Sequence, residues 1–511
     1  TAVGAEALQK NTADSNTAVG YQALEENTSG INNVALGAFA LDESTTGYQN
    51  TAIGTYALTS NTTANNNTAV GYNSMGANTT GAQNVAMGYA SLDANTTASN
   101  NTAVGYNALT SNTASNNTAF GRKALNVNTT GTLNTAVGSD ALVSNTTADH
   151  NTGIGYAALT ANTTGTQNTA VGSRSLDANT TANNNTAVGF ETLTATTTGG
   201  NNVAVGDEAL YTNTTGSKNV AVGALALDAA NASDNTAIGY RALTDCTSGI
   251  KNTAVGSDAL YDTTSGDRNT ALGYNALASN TTGDHNTAAG ENALVYNTTG
   301  YNNVAVGLQA LQDCTTGFRL TAVGVNAGQN VTTGDNNTFL GENTASVLTT
   351  GDNNVYLGSN CQASSSNVLR EIVLGYAITG KGGNTFFVAS DSGVYHGGNT
   401  TTWSTTSDRR IKKNIVDNNE GLSLINQIAV KNFEYKTAAE IESDGELPSS
   451  EAVGMEGTQI GVIAQELQQV RSNWVTTRDN GTLSVTGSDE IIWHLVNSVK
   501  ELSAENEALK A

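Results

Sequence analysis

The residues best equipped for chemistry lie together in one short stretch, residues 403–415, which read W-S-T-T-S-D-R-R-I-K-K-N-I. Ser407 and Lys412 stand five apart there, with Asp408, Arg409, Arg410 and Lys413 around them. A serine hydroxyl is a poor nucleophile until a base takes its proton. Lysine, with an ordinary pKa near 10.4, becomes a base only where burial or neighbouring cations disfavour its charge. Arg409, Arg410 and Lys413 are such cations, at least in sequence. Taken alone, the same spacing also describes a serine capping a helix ahead of a basic surface run. Other chemistry-bearing residues are scattered: His150, His285, His396 and His494 form no cluster in sequence, and Cys246, Cys314 and Cys361 have no metal-ligand spacing. Asp335 and Asp352 sit in T-T-G-D-N-N, but the G-G-x-G-x-D run of calcium-binding rolls is absent. No cofactor, metal site or paired-carboxylate glycosidase signature is expected.

Around the Ser–Lys stretch the composition changes. Residues 407–511 hold about half of the lysines and arginines, two of the three tryptophans and the only proline. Their apolar patterning predicts a helix over 420–428, a strand over 431–435, an acidic loop over 437–457, a strand over 459–463 and a short helix from Ala464. The last segment, 489–510, predicts a long helix. Ile492, Leu495, Val499, Leu502 and Leu509 follow a 3-4 spacing, with Asn506 at the missing core position. A single buried Asn commonly fixes register in a coiled coil.

Everything before this region is a repeat. Glycines closing N-T-A-V-G fall at Gly4, Gly20, Gly37, Gly54, Gly71 and onward to Gly375, 23 in all, spaced by 17 residues except for three steps of 16. The unit carries Asn four before the glycine, Thr or Val three before, Ala two before and an aliphatic, Met or Phe one before, then Leu four after. Both apolar segments are too short for helices, so they predict two short strands per unit, joined by Asn-Thr-Thr turns. With no proline before Pro448, nothing interrupts a continuous ladder. One unit cannot bury a core alone, but stacked units can. The Val, Leu and Thr/Val rows are expected to become core columns and the Asn rows side-chain ladders. At ~4.8 Å per stacked strand, about 23 turns give a rod on the order of 110 Å long. The recurrent Ala and Gly suggest a face pressed against another backbone, hence assembly about a symmetry axis, with a trimer expected. After Gly324 the unit degrades: Gly328 replaces Leu, and Phe339 and Tyr356 replace Ala.

The N-T-A-V-G element resembles the N-S-V-A-I-G head repeats of YadA-type trimeric bacterial adhesins, which implies a trimeric β-roll over residues 1–375. Ser407, Asp408, Arg410 and Lys412 resemble the S-D-x-R-x-K opening of the endosialidase-type intramolecular chaperones at the C-termini of phage tailspikes and fibres. Residues 461–467, G-V-I-A-Q-E-L, resemble that family's G-x-I-A-Q-E element, and the closing helix also fits. That resemblance implies a domain over 407–511 that trimerises the fibre and then releases itself. Ser407 would be the nucleophile, Lys412 its base, and the bond between Thr406 and Ser407 the target.

The fold class expected is therefore mainly β: a β-solenoid of 17-residue turns over 1–375, homotrimeric, a β-rich neck over 376–406, then a small α+β chaperone domain ending in a coiled-coil helix. With 38% hydrophobic and 5% aromatic residues, the chain suits a core one side chain deep. A net charge of −23 argues against nucleic acid and anionic membrane as partners, and no apolar run is long enough to span a bilayer. Residue 1 falls mid-unit, so further chain is expected ahead of it, contacting other virion tail proteins. The expected partners are the chain itself and a host cell-surface receptor, with a glycan as one candidate. Tyr21, Tyr72, Tyr89, Tyr106, Tyr156, Tyr240, Tyr274 and Tyr376 follow repeat glycines and could stack on sugars, although packing on a solenoid corner is the simpler expectation. The function expected is a phage tail fibre or tailspike shaft, extracellular on the host surface. A bacterial surface adhesin and a glycan depolymerase are the rivals. The adhesin is disfavoured by the soluble ending E-N-E-A-L-K-A, and the depolymerase by the lack of a Trp- and Arg-rich insertion.

Overall fold

A computed structural model describes residues 1–389, 414–444, 447, 456–478, 481–486 and 488–510. Two compact units, Thr1–Leu320 and Thr321–Ala511, divide the chain.

The expected β-solenoid is present in Thr1–Leu320. Each 17-residue turn contributes one three-residue strand, from Thr17–Val19 and Val34–Leu36 to Val304–Val306. Each strand pairs in parallel with its neighbour one turn on, in the register of the repeat, as Ala18↔Ala35 and Ala35↔Ala52. The period-2 alternation of a strand turns the central Ala inward, fully buried, while the flanking Thr and Val lie partly or fully exposed. The Thr and Val rows are therefore not core columns, contrary to expectation. The interior is built from Ala, Leu and Asn.

The second apolar segment is not a strand either. Its Leu sits in the left-handed region, as at Leu24 (φ 58°), Leu41 (φ 53°) and Leu58 (φ 51°), and so does the residue two before it. Left-handed backbone costs a residue with a Cβ roughly 1–2 kcal/mol, but here stacking over-determines it. The Leu24 N–H donates forward to Ala40 O at 2.9 Å, the Gln22 N–H donates back to Ala5 O at 3.0 Å, and the Leu side chain is fully buried. Alternating backbone hand thus lets successive N–H groups reach opposite neighbours without an extended chain.

Two asparagine ladders supply the polar interior that was expected. In one, the Asn67 N–H donates to Asn50 Oδ1 (3.0 Å) and Asn67 Nδ2 to Gly81 O (2.8 Å). In the other, Asn78 Nδ2 donates to Asn61 Oδ1 (3.1 Å) and Gly81 O (3.0 Å). The repeat glycine has a simple local cause: at Gly71 (φ 133°) an added Cβ would strike the carbonyl of Gly88. Ala and Gly are thus pressed against the next turn of their own chain.

In Thr321–Ala511 the solenoid turns continue with in-register strands from Thr321–Val323 to Phe386–Ala389. Core volume is exchanged rather than lost. Gly328 and Ala345 stand at Leu positions, while Phe339 and Tyr356 fill Ala positions, fully buried with their rings 6.0 Å apart and nearly parallel. One Asn ladder ends at Glu371, also fully buried. Its carboxylate accepts from Tyr356 OH (2.9 Å), the Ser364 N–H (3.1 Å) and the Gly382 N–H (2.8 Å). Burial, and then that carboxylate, push the Tyr356 phenol far above its usual range.

Among its described residues the C-terminal region has four α-helices: α1 (Leu422–Ile425), α2 (Ala438–Asp444), α3 (Ala464–Val470) and α4 (Ser488–Lys510). Strand Lys431–Phe433 pairs antiparallel with Gln459–Gly461, and Val475–Thr477 with Leu483–Val485. Helix α2 falls where a loop was expected. It is nucleated by a capping box, in which Glu440 Oε2 accepts from the Thr437 N–H and the Glu440 N–H donates to Thr437 Oγ1. Leu424, Leu467, Trp474 and Val475 form the buried centre, with Ile428, Val462, Val470, Leu483 and Ile491 packed around it.

Candidate functional site

Thr406, Ser407 and Lys412 lie outside the described residues, whose nearest downstream member is Asn414. What the structure does show is how the chain just after them is held. Residues 418–422 run along one face of α4. Asn497 Nδ2 donates to Asn418 O at 2.7 Å and lies 3.4 Å from Glu420 O. The Nδ1–H of His494 donates to Glu420 O at 2.8 Å, and Glu501 Oε2 accepts the Leu422 N–H at 2.8 Å. Gly421 permits this approach, since a Cβ there would lie 2.5 Å from Glu501 Oε1. Leu424, one turn on, inserts into the domain core. Arg471 adds a partly solvent-exposed ion pair to Glu420 at 2.6 Å.

The face of α4 that makes these bonds is buried through His494 and Ser498. His494 rests against the fully buried Trp474 with ring centroids 5.4 Å apart, and the indole N–H of Trp474 donates to Glu490. The opposite face is bare. Ile492, Leu495, Val499, Leu502 and Leu509, the 3-4 series expected to form a coiled-coil seam, are all exposed, Val499 at 65% and Leu509 at 87%. Its polar counterpart, His494, Asn497 and Glu501, was legible as a second 3-4 series but is masked in a search for apolar periodicity.

The G-V-I-A-Q-E-L element serves packing. Gly461 faces the Phe433 ring, where a Cβ would meet Cε1 at 3.3 Å, and Leu467 enters the core. Beside it is a cavity of about 30 Å³ lined by Ile428, Val462, Leu467 and neighbours, enough for a single water and not for a substrate.

Among the described residues, the other groups singled out by sequence are poorly placed to act on a ligand. The repeat tyrosines are half-exposed, but Tyr72, Tyr89 and Tyr106 stack on one another at 5.5 and 5.3 Å with planes within 14°. Stacking of these three rings along one column fits packing on a solenoid corner. Among the described residues, no group of three His, Cys, Asp or Glu side chains could hold a metal ion. Cys246, Cys314 and Cys361 are buried and not disulfide-bonded; burial pushes the Cys246 thiol up to about 11, so it stays protonated. No described helix is long and apolar enough to cross a membrane.

Residues 407–476 match the family model described as chaperone of endosialidase. The match begins at Ser407, includes α1, α2 and α3 and ends within the strand Val475–Thr477; α4 lies beyond it. No curated protein and no solved structure matches the chain. The C-terminal region is thus similar to an endosialidase chaperone, preceded by a β-solenoid.

Proposed function

We propose that this chain is the shaft of a homotrimeric phage tail fibre or tailspike whose C-terminal region drives trimer assembly and then cuts itself free between Thr406 and Ser407. The observation that carries this is the chaperone match starting at Ser407, immediately downstream of a long solenoid. Two unpartnered surfaces support self-association. The outward strand positions of Thr1–Leu320 are Thr, Val, Ile, Leu, Met, Phe and Ala with no charged residue, and continuous apolar surface of this kind marks an interface. The exposed 3-4 stripe of α4 is the second.

In the cut, Ser407 Oγ attacks the Thr406 carbonyl carbon while neutral Lys412 takes the hydroxyl proton and passes it to the departing Ser407 nitrogen. The resulting ester between Thr406 and Ser407 Oγ is hydrolysed by water, leaving a Thr406 carboxylate and a free Ser407 amine. Lys412 can be neutral only once burial or Arg409, Arg410 and Lys413 disfavour its charge. If that environment forms on trimer closure, the cut reports completed assembly. In this reading the solenoid carries a host-receptor surface on the virion exterior. Intact mass of the full chain beside Ser407→Ala tests the cut: two fragments dividing at 406/407 in the wild type and one chain in the variant are expected. Identical uncut masses would remove the protease and leave the assembly role.

A further inference from the structure

Helix α4 presents three faces, each roughly a third of a turn from the other two at about 3.6 residues per turn. His494, Ser498 and Glu501 share the first, which the chain itself occupies: His494 and Ser498 are buried, and Glu501 accepts the Leu422 N–H at 2.8 Å. Ile492, Leu495, Val499 and Leu502 make the second, the bare stripe. Trp493 and Val496 make the third, and it is bare too, with Trp493 68% and Val496 41% exposed. Tryptophan is highly buried on average and is enriched among the residues that carry binding energy at interfaces. The two bare faces differ in length. The stripe runs on to Leu509, whereas on the third face Val496 is followed by Lys500 and Glu507, both exposed. The apolar part of that face is therefore level with the bonds that α4 makes to its own domain, from Glu490 to Glu501.

We propose that Trp493 and Val496 form a second contact between copies of this chain, seated against the C-terminal domain of the neighbouring copy and separate from the stripe. Threefold symmetry supplies the argument. When the stripes of three α4 helices meet on an axis, each helix has its own domain on one side, a third of a turn from the axis. The domain of the next copy then lies on the other side at the same level. Trp493 and Val496 stand on that other side, and the face turns polar beyond the level of the domain. Two different surfaces meet in this contact, and three such contacts close a ring. The inference rests on the trimer proposed above and names a surface of it that the stripe does not supply.

The test uses the full chain carrying Ser407→Ala, so that the C-terminal domain stays attached. Oxidative labelling read by mass spectrometry compares Trp493 in the trimer with Trp493 in the monomer made by adding Val499→Asp. Strong labelling in the monomer and its loss in the trimer are expected. Native mass over a dilution series reads the affinity. Adding Trp493→Gln to the parent is expected to raise the concentration at which the trimer dissociates by at least about tenfold, as for an interface anchor. The circular dichroism of that variant should not change, because Trp493 is exposed within one chain. Equal labelling in trimer and monomer would overturn the contact, and so would a Trp493→Gln trimer as tight as the parent; either result leaves the trimer standing. Unfolding of the Trp493→Gln domain would also overturn it, by assigning Trp493 to the fold of one copy. A Val499→Asp chain that stays trimeric would remove the axis on which the contact depends. A parent chain that is monomeric throughout would overturn the trimer and this contact together.

Discussion

Asn151→Ala is expected to destabilise the solenoid more than its modest size suggests. Asn151 is fully buried in the first Asn ladder. Its own N–H donates to Asn134 Oδ1 at 2.9 Å, a bond that alanine would keep. Alanine would lose the bond from Nδ2 to Gly165 O (2.8 Å), although Asn162 Nδ2 also serves that carbonyl at 3.0 Å. The larger loss is the acceptor Oδ1, which takes the backbone N–H of Asn168 at 3.0 Å. That N–H would be orphaned where water does not reach. An unsatisfied buried donor costs about 1–3 kcal/mol and a lost bond about 1 kcal/mol, giving about 3 kcal/mol together. Because a solenoid turn contacts only its neighbours, the weakness should be local: amides from 151 to 170 should exchange faster with deuterium, and distant turns should not. The exposed Thr181→Ala serves as control and should stay within about 0.5 kcal/mol of wild type. An Asn151→Ala chain as stable as that control, by denaturant titration, would refute the claim that the ladder carries stability.

Where a ladder is interrupted, repair should stabilise: Asn297 Oδ1 is buried without a partner below Cys314, so Cys314→Asn should restore a bond and add about 1 kcal/mol, raising Tm; a lower Tm would contradict this. Replacing a stripe residue by a charge, Val499→Asp, should shift native mass from trimer to monomer without unfolding the domain, because Val499 is 65% exposed within one chain; an unchanged trimer would exclude the stripe from the interface. Asp42 is pushed up to about 6 by burial, and then by the charges of Glu25 and Glu43. Its charged form is therefore disfavoured in the fold, so the protein should gain stability as pH falls from about 6 towards 4. Asp42→Asn should raise Tm at pH 7 and have no such effect near pH 4, and a pH-independent difference would contradict the assignment.

The solenoid was legible because a fixed period forces every turn to put the same residue against itself, and no other fold tolerates 23 such returns. Its cross-section was not. A three-residue T-A-V strand has one inward position, and either Ala alone or the Thr and Val beside it could occupy the interior by pattern alone. The narrow, close-stacked turn decides for Ala. Leu in left-handed backbone is invisible to propensity, since only the stacked neighbours on both sides sustain it. In the C-terminal region the Thr437–Glu440 capping box was present in sequence, and so was Gly481, whose left-handed backbone (φ 83°) lies between the Val475–Thr477 and Leu483–Val485 strands. The first was hidden inside what read as an acidic loop over 437–457. The apolar stripe of α4 and the polar 3-4 series of His494, Asn497 and Glu501 were both readable, whereas what the polar series holds, backbone some 80 positions away, could not be read from one helix.

The most direct measurement is the native mass of the chain beside the same chain ending at Thr406, each expressed from the start without the other. If residues 407–511 build the fibre, the full chain yields trimers of the solenoid, cut or uncut, and the shortened chain yields monomers or aggregate. A shortened chain that forms the same trimers unaided would contradict the assembly role, and a monomer from the full chain would contradict the fibre itself.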